Sequence, residues 1–227
     1  MLLENNERIN LVLKNLNDIE SKEILLNYLK SAITYSSEYL NPILPQYFPT
    51  FFELSNYEIV VDGGAYTGDT LIEYQKKFST FKEYHAFEPS FNNYLQLSTN
   101  SNLKNIFKYN KGLGLSNDIL LFNDGVAESS TSSFLKTTFN QNNLKEVQIV
   151  RLDDLIDEVS FIKLDIEGAE LDALIGSASL ISRFKPKIAV CIYHKFEYLW
   201  QIQEFLFSIR SDYKFSIRYH SIPNIFN

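Results

Sequence analysis

The stretch VVDGGAYTGDT, residues 60–70, decides the fold class. It opens with apolar β-branched residues, passes through a turn that contains three glycines, and continues into the apolar spacing of a helix. Further apolar strands begin near residues 82, 106, 159 and 186, and amphipathic helical segments follow most of them. This alternation predicts an α/β fold with an open, mostly parallel central sheet and helices on both faces.

Composition and charge narrow the class of partner. The 227 residues carry 21 basic and 28 acidic side chains, a net charge of −7, and lack the concentrated basic face that a nucleic-acid partner requires. The N-terminal residues are polar and no apolar run approaches the roughly 18 residues of a membrane span, so we expect no signal peptide and no transmembrane segment. The single cysteine, Cys191, cannot form an internal disulfide, which favours a cytoplasmic protein.

The first 50 residues differ from the rest of the chain. Their apolar side chains recur with helical spacing, and polar capping residues separate two helices. Three prolines within residues 42–49 then end the helical pattern. We therefore predict a helical extension over residues 1–50 and a separate domain over residues 51–227, which ends in a strand over residues 213–219. The extension could pack on its own domain or join two copies in a homo-oligomer.

Two predicted strand ends suit a nucleoside ligand. In an open parallel sheet the ligand lies beyond the carboxyl ends of the strands, and glycines there let the backbone approach it closely. Glu88 ends the second strand, where its carboxylate can accept hydrogen bonds from both hydroxyls of a ribose. A dinucleotide fingerprint needs glycine where Tyr66 stands, because a side chain there collides with a pyrophosphate. The pattern favours the phosphate-free cofactor S-adenosylmethionine over a nicotinamide dinucleotide.

Two further strand ends carry reactive groups. Asp165 closes the fourth parallel strand and His194 emerges just past the fifth, so we expect them to face each other. Together they could bind a divalent cation or act as an acid–base pair. His220, after the last predicted strand, is a weaker candidate of the same kind. Glu167 and Glu170 begin the next helix, where acidic side chains also complement the helix dipole and Glu170 fits a capping box.

Five segments together carry a family resemblance: VVDGGAYTGDT, AFEPS, VRLDDL, FIKLDIEGAELDALIGS and CIYHKFEYLWQIQEFL. They resemble the FkbM family of S-adenosylmethionine-dependent methyltransferases over about residues 57–220. The resemblance implies a Rossmann-like class I methyltransferase fold with S-adenosylmethionine as cofactor. The YHK…LW run is similar to the bacterial branch that modifies sugars and surface polysaccharides. The implied reaction is O-methyl transfer to a sugar hydroxyl of a small-molecule or glycan acceptor.

The resemblance and the strand ends together give the candidate site residues. The predicted cofactor contacts are Asp62, Gly63, Gly64, Ala65, Tyr66, Gly68, Asp69, Thr70, Glu88, Ser132 and Asp165. Asp165 and His194 are the predicted catalytic residues, and with His220 they are the predicted ligands of Mn²⁺ or Mg²⁺. An alcohol does not ionise at neutral pH, so either a general base or a metal must deal with its proton. Two other interpretations stay open: a nicotinamide-dependent oxidoreductase, and a non-catalytic interaction protein that docks through its N-terminal helices.

Overall fold

The computed structural model describes residues 4–40, 48, 58–78, 81–99, 104–123 and 144–220. Its helices are α1 (Asn6–Asn15), α2 (Ile19–Thr34), α3 (Asp69–Lys77), α4 (Phe91–Thr99), α5 (Glu170–Ile175), α6 (Ala178–Phe184) and α7 (Tyr198–Ile209). Its strands are β1 (Ile59–Gly63), β2 (Glu83–Phe87), β3 (Ile106–Tyr109), β4 (Gly112–Leu113), β5 (Asp118–Asn123), β6 (Leu144–Val150), β7 (Phe161–Leu164) and β8 (Lys187–Val190). The chain divides into a sheet unit, Phe52–Phe196, and a helical unit, Met1–Phe51 with Glu197–Asn227.

A five-stranded parallel sheet forms the centre of the sheet unit. Its strands run in the order β3-β2-β1-β7-β8, and every neighbouring pair is parallel. All residues of β1 and β7, near the middle, are buried. Strands covered on both faces are built mainly from apolar residues. The sequences of β1 (IVVDG) and β7 (FIKL) are mostly apolar, as this requires. The sheet and its flanking helices confirm the predicted α/β class.

Aromatic packing fixes α3 against β2 in the sheet unit. Tyr74, on the buried side of α3, lies with its ring centroid 5.8 Å from that of Phe81 and 6.1 Å from that of Tyr84. The rings of Phe81 and Tyr84 are 5.6 Å apart. Tilted and edge-to-face pairs of this kind add to the hydrophobic stabilisation of the packed surface. They pack the C-terminal half of α3 against the start of β2.

A second, three-stranded sheet in the same unit has the order β4-β6-β5. β5 pairs antiparallel with β6, and β4 pairs with it in parallel. β5 and β6 lie on either side of residues 124–143, a segment rich in Ser, Thr and Asn. The predicted cofactor residue Ser132 belongs to that segment and lies outside the described residues.

The helical unit joins segments that are distant in sequence. The Asn15 side-chain amide of α1 donates to Gln203 of α7 at 3.1 Å, and Arg8 lies 3.3 Å from Glu204. The first division of the chain falls between Phe51 and Phe52, and α7 groups with the N-terminal helices. The domain bounds of 1–50 and 51–227 stay a prediction. Within the described ranges, none of the helices combines the length and apolar character needed to cross a bilayer.

A polar network links the start of α2 to the segment after α7. Asp18 caps α2 by accepting from the Ser21 N–H at 2.8 Å, and it also accepts from Ser216 at 2.7 Å and Arg218 at 3.2 Å. The Ile217 N–H donates to the Ser21 hydroxyl rather than to a strand. The predicted strand over residues 213–219 is therefore wrong: these described residues hold only an isolated bridge at position 215.

Candidate functional site

The β1–α3 turn, residues 63–68, lies at the carboxyl end of the central strand. Gly64 has a φ of +74° and Gly68 one of +98°, values in the left-handed region that favours glycine. A Cβ atom at Gly64 would collide with the carbonyl oxygen of Asp165, which follows β7. The Gly64 N–H donates to the Phe87 carbonyl oxygen at 3.0 Å. The turn thus packs closely against the ends of the two neighbouring strands, β7 and β2.

Glu88, at the end of β2, is tied to this turn. Its Oε2 accepts from the Tyr66 N–H at 2.8 Å and its Oε1 from the Ser90 N–H at 2.9 Å. Burial raises the pKa of Glu88 to about 7, although those two N–H groups act in the opposite direction. A carboxylate offers about four lone-pair positions, so Glu88 keeps acceptor capacity beyond the two backbone bonds.

Tyr66 is an exposed side chain on a left-handed backbone. Its φ is +46° and 53% of its surface is exposed. A left-handed backbone conformation costs free energy for a bulky residue, and it persists only where surrounding contacts offset that cost. The hydrogen bond from the Tyr66 N–H to Glu88 is one such contact. The ring occupies the position that a dinucleotide fingerprint keeps for glycine.

Beneath the turn lies a buried ion pair. Lys163 of β7 is 3% exposed, and its Nζ lies 3.0 Å from Asp62 Oδ1. The same ammonium group donates to the carbonyl oxygens of Gly63 at 3.2 Å and Gly64 at 2.7 Å. Tyr84 donates to Asp62 Oδ2 at 2.7 Å. Burial would lower the pKa of Lys163, but the charges of Asp62 and Asp165 raise it, so the lysine is a cation.

The second candidate centre follows β7 and β8. His194 Nδ1 lies 2.8 Å from Glu170 Oε1, while its Nε2 faces Glu167 Oε2 at 3.4 Å and Asp165 Oδ1 at 3.6 Å. The parallel pairing of β7 with β8 brings these residues together, as expected for Asp165 and His194. Glu170 is completely buried, whereas Asp165 and Glu167 are partly accessible.

Two carboxylates, those of Glu167 and Glu170, determine the charge of His194. Burial alone would lower the pKa of the imidazole, but hydrogen bonds and charges from Glu167 and Glu170 outweigh it and raise the pKa to about 9. At neutral pH His194 is therefore an imidazolium. It can donate a proton, but it cannot accept one until it has lost its own.

Glu170 also shapes the turn that precedes α5. Its Oε1 accepts from the Ile166 N–H at 2.9 Å and from the Gly168 N–H at 3.3 Å. Glu167, inside this turn, has a φ of +55°, and Gly168 one of +95°. Lys195 donates to the Gly168 carbonyl oxygen at 2.5 Å. Contacts from α5 and from the segment after β8 thus hold Glu167 in a conformation that is unfavourable for a residue with a side chain.

Tyr193 contributes a polar group to the same edge. Its hydroxyl donates to Asp165 Oδ1 at 3.1 Å, and its ring centroid is 4.1 Å from that of His194. Burial and the Asp165 charge raise the pKa of Tyr193, so its hydroxyl stays protonated. The ring is 54% exposed. Asp165 is therefore held by a donor on one side while part of its surface stays accessible.

Comparison with known proteins identifies the family. The sequence model described as the methyltransferase FkbM domain matches residues 62–217, more than half of the chain. The chain belongs to the FkbM methyltransferase family. This confirms the resemblance seen in the five sequence segments.

A solved structure supports the FkbM assignment. The chain is similar to the crystal structure of methyltransferase FkbM from Methylobacillus flagellatus KT, with a TM-score of 0.81 and 27% sequence identity. The similarity covers 97% of this chain but 56% of that one, so the chain spans little more than half the length of this FkbM protein. No curated protein sequence matched the chain.

The structure places most predicted residues of this FkbM chain at one edge of the parallel sheet. The residues at or beside the β1–α3 turn are Asp62, Gly63, Gly64, Ala65, Tyr66, Gly68, Asp69, Thr70 and Glu88. Asp165 and His194 lie beyond the neighbouring strands. Asp62, Ala65 and Thr70 are buried, whereas Asp69 is exposed at the start of α3. His220 belongs to the helical unit and stays a prediction as a metal ligand.

Sequence reasoning missed two residues of these centres, Lys163 and Tyr193, and it missed the contact of Glu170 with His194. A lysine inside an otherwise apolar buried strand is rarely left without a charged partner, so the run FIKL was a usable signal. The dipole and capping-box arguments assigned Glu170 a local role. In the structure it is the first residue of α5 and accepts from two N–H groups of the preceding turn, but it does not form a capping box. Nothing in its spacing indicated His194 as a second partner.

Proposed function

We propose that this chain is an S-adenosylmethionine-dependent O-methyltransferase that acts on a sugar hydroxyl in the biosynthesis of a surface polysaccharide, capsular or lipopolysaccharide. The observation that carries the proposal is the juxtaposition, along one sheet edge, of the Glu88-bound glycine turn and the Asp165–His194 centre. The first suits a nucleoside, and the second can deal with the proton of an acceptor. Family membership supports methyl transfer. The sugar acceptor and the polysaccharide role rest on the resemblance of the YHK…LW run.

The residues at the β1–α3 turn fit S-adenosylmethionine. Glu88 would accept from the ribose hydroxyls, and the glycines would let the backbone lie close to the methionine part. Tyr66 stands where a pyrophosphate would need space, which argues against a nicotinamide dinucleotide. When bound, S-adenosylmethionine supplies a methyl group on a positively charged sulfur. The protein must then bring the acceptor oxygen into line with that group.

Asp165 is the better candidate for the general base. The acceptor oxygen gains a methyl group and loses its proton, and a base removes that proton as the new bond forms. His194 already carries a proton at neutral pH, whereas Asp165 is partly accessible and its Oδ1 is oriented by Tyr193. His194 would then hold Asp165 in place and stabilise its charge.

A metal-assisted route uses the same side chains. One ligand atom each from Asp165, Glu170 and His194 lies within 4.8 Å of the others, an oxygen and nitrogen donor set suited to Mn²⁺. The second carboxylate oxygen of Glu170 is buried without a hydrogen-bond partner in the described part of the chain, which fits such a set. A divalent cation there would acidify an acceptor hydroxyl. Its binding requires that His194 lose its proton, so metal affinity should rise with pH.

One experiment tests both the acceptor and the metal. The full chain is incubated with labelled S-adenosylmethionine and a panel of nucleotide-activated sugars, with Mn²⁺ and after exhaustive chelation, and products are identified by mass spectrometry. We expect a methylated sugar. An unchanged rate after chelation would remove the metal-assisted route. A thermal-shift comparison in which NAD stabilises the protein and S-adenosylhomocysteine does not would favour the oxidoreductase instead. The cytoplasmic location and the homo-oligomer stay predictions.

A further inference from the structure

We propose that Lys163 and Asp62 form a positioning pair that fixes the β1–α3 turn for the cofactor. Neither residue would touch the ligand. This inference rests on the proposed function, because it assumes that the β1–α3 turn binds S-adenosylmethionine. It also revises the sequence prediction that Asp62 contacts the cofactor directly.

The first argument is the burial of both charges. Lys163 is almost fully buried and Asp62 is completely buried. Removing two ions from water is costly, and a buried pair is tolerated only when its remaining polar atoms are also satisfied. Here the ammonium group contacts Asp62 and two carbonyl oxygens, and Tyr84 binds the other Asp62 oxygen. Asp62 therefore has its side-chain oxygens directed at protein groups rather than at a ligand.

The second argument concerns the peptide group between Gly64 and Ala65. Its carbonyl oxygen accepts from Lys163 at 2.7 Å, and its N–H donates to the Phe87 carbonyl oxygen at 3.0 Å. The peptide is thus held from both sides, by β7 through a side chain and by β2 through the backbone. A peptide plane fixed at both of its polar atoms cannot rotate without breaking a hydrogen bond.

The third argument follows the chain one residue further. The next N–H, that of Tyr66, donates to Glu88 Oε2. Only the two backbone dihedrals of Ala65 then separate the fixed Gly64–Ala65 peptide from the N–H that orients the proposed ribose-binding carboxylate. Lys163 acts on Glu88 through two consecutive peptide groups. A nonpolar side chain of similar length at position 163 would fill the space but would leave the Gly64 carbonyl oxygen without its donor.

The test compares the double variant Asp62→Asn/Lys163→Met with the unaltered chain. Removing both charges avoids an uncompensated buried ion, and the Asp62→Asn change keeps an acceptor oxygen for the Tyr84 hydroxyl. The matched control is Lys108→Met, because Lys108 lies in β3 of the same sheet and also donates to a backbone carbonyl, that of Ser98 at 3.0 Å. Two quantities are measured: hydrogen exchange of the amides of residues 64–68, and the Kd for S-adenosylhomocysteine.

We expect the double variant to melt cooperatively, to exchange the turn amides about tenfold faster, and to bind S-adenosylhomocysteine at least about tenfold more weakly. Lys108→Met should change neither measurement. Unaltered exchange in the turn, or faster exchange with unchanged affinity, would overturn the inference. If the unaltered chain fails to bind S-adenosylhomocysteine, the proposed function fails, while the exchange comparison still decides whether the pair orders the turn. If the double variant does not fold, Lys163→Gln is measured in the same way and judged by the same outcomes.

Discussion

Glu170 Oε1 and His194 Nδ1 lie 2.8 Å apart, although the two residues follow different strands of the parallel sheet. The same oxygen accepts from two backbone N–H groups of the turn after β7. One buried carboxylate thus links that turn to the segment after β8. The contact also affects the charge of His194. Together with Glu167, Glu170 raises the pKa of the imidazole, so His194 is charged at neutral pH.

The charge of His194 should appear in the pH dependence of stability. Its pKa is raised to about 9 in the folded protein, so its stabilising effect is complete below the unfolded value of 6.5 and is lost as the pH rises through 9. Between those limits the unaltered chain should lose about 2 kcal/mol more unfolding free energy than His194→Gln, after allowance for solvent screening. Urea unfolding of both proteins across this range measures the difference. Parallel pH profiles would show that His194 titrates normally.

Asp165→Asn should abolish most turnover and spare cofactor binding. Loss of a general base costs about 10²–10⁴ in rate. The ribose and methionine contacts proposed above, Glu88 and the glycines, lie elsewhere at the sheet edge, so the predicted cofactor contact of Asp165 should contribute little to affinity. We expect the Kd for S-adenosylhomocysteine to stay within about threefold, measured by calorimetry beside the initial rate. Asp172→Asn, an exposed acid on the following helix, is the control and should leave the rate unchanged. A fully active Asp165→Asn would exclude this carboxylate from the reaction.

Glu88→Gln should weaken S-adenosylhomocysteine binding about 10- to 100-fold, because hydrogen bonds to a charged acceptor contribute about 1.5–3 kcal/mol. Burial raises the pKa of Glu88 to about 7, and in the proposed site its ionised form would accept from both ribose hydroxyls. The Kd of the unaltered chain should therefore fall as the pH rises from 6 to 8, and the variant should lose this dependence. Glu83→Gln, on the same strand, serves as the control. Equal affinity in Glu88→Gln and the unaltered chain would contradict the ribose assignment.

Arg218→Met should destabilise the helical unit. Arg218 is mostly buried and pairs with Asp18 at 3.2 Å and Glu20 at 3.0 Å. We expect a loss of about 1 kcal/mol in unfolding free energy, measured by urea titration. The control is Arg210→Met, because Arg210 pairs with Asp212 at the surface and such a pair contributes little. Similar losses in both variants would show that the Asp18 network adds no stability of its own.

The sheet and its ligand edge could be predicted because their signals are local. Buried parallel strands are recognised in the sequence as apolar runs. Ligands of such sheets bind beyond the carboxyl ends of the strands, so the position of a site can be predicted without knowing which strands are neighbours. Asp165 and His194 were found in this way. Glu88 and the glycine turn were found in the same way, and the resemblance to a family then supported them.

What could not be predicted depends on which elements become neighbours. Lys163 and Asp62 are adjacent only because β1 and β7 pair in parallel, and the sequence does not state that register. The place of α7 was missed for a similar reason. Its apolar face shows that the helix packs on something, but not that the partner is α1.

The helical unit also has a consequence for synthesis on the ribosome. α1 and α2 are translated about 160 residues before α7, an interval of roughly 10–30 s at 5–20 residues per second. The sheet unit is continuous in sequence and can form during this interval. Ile9 and Val12, buried in the finished protein, must meanwhile stay exposed to water or to a chaperone. Nascent chains arrested before residue 198 should therefore be bound by chaperones at their first helices and released once α7 has emerged.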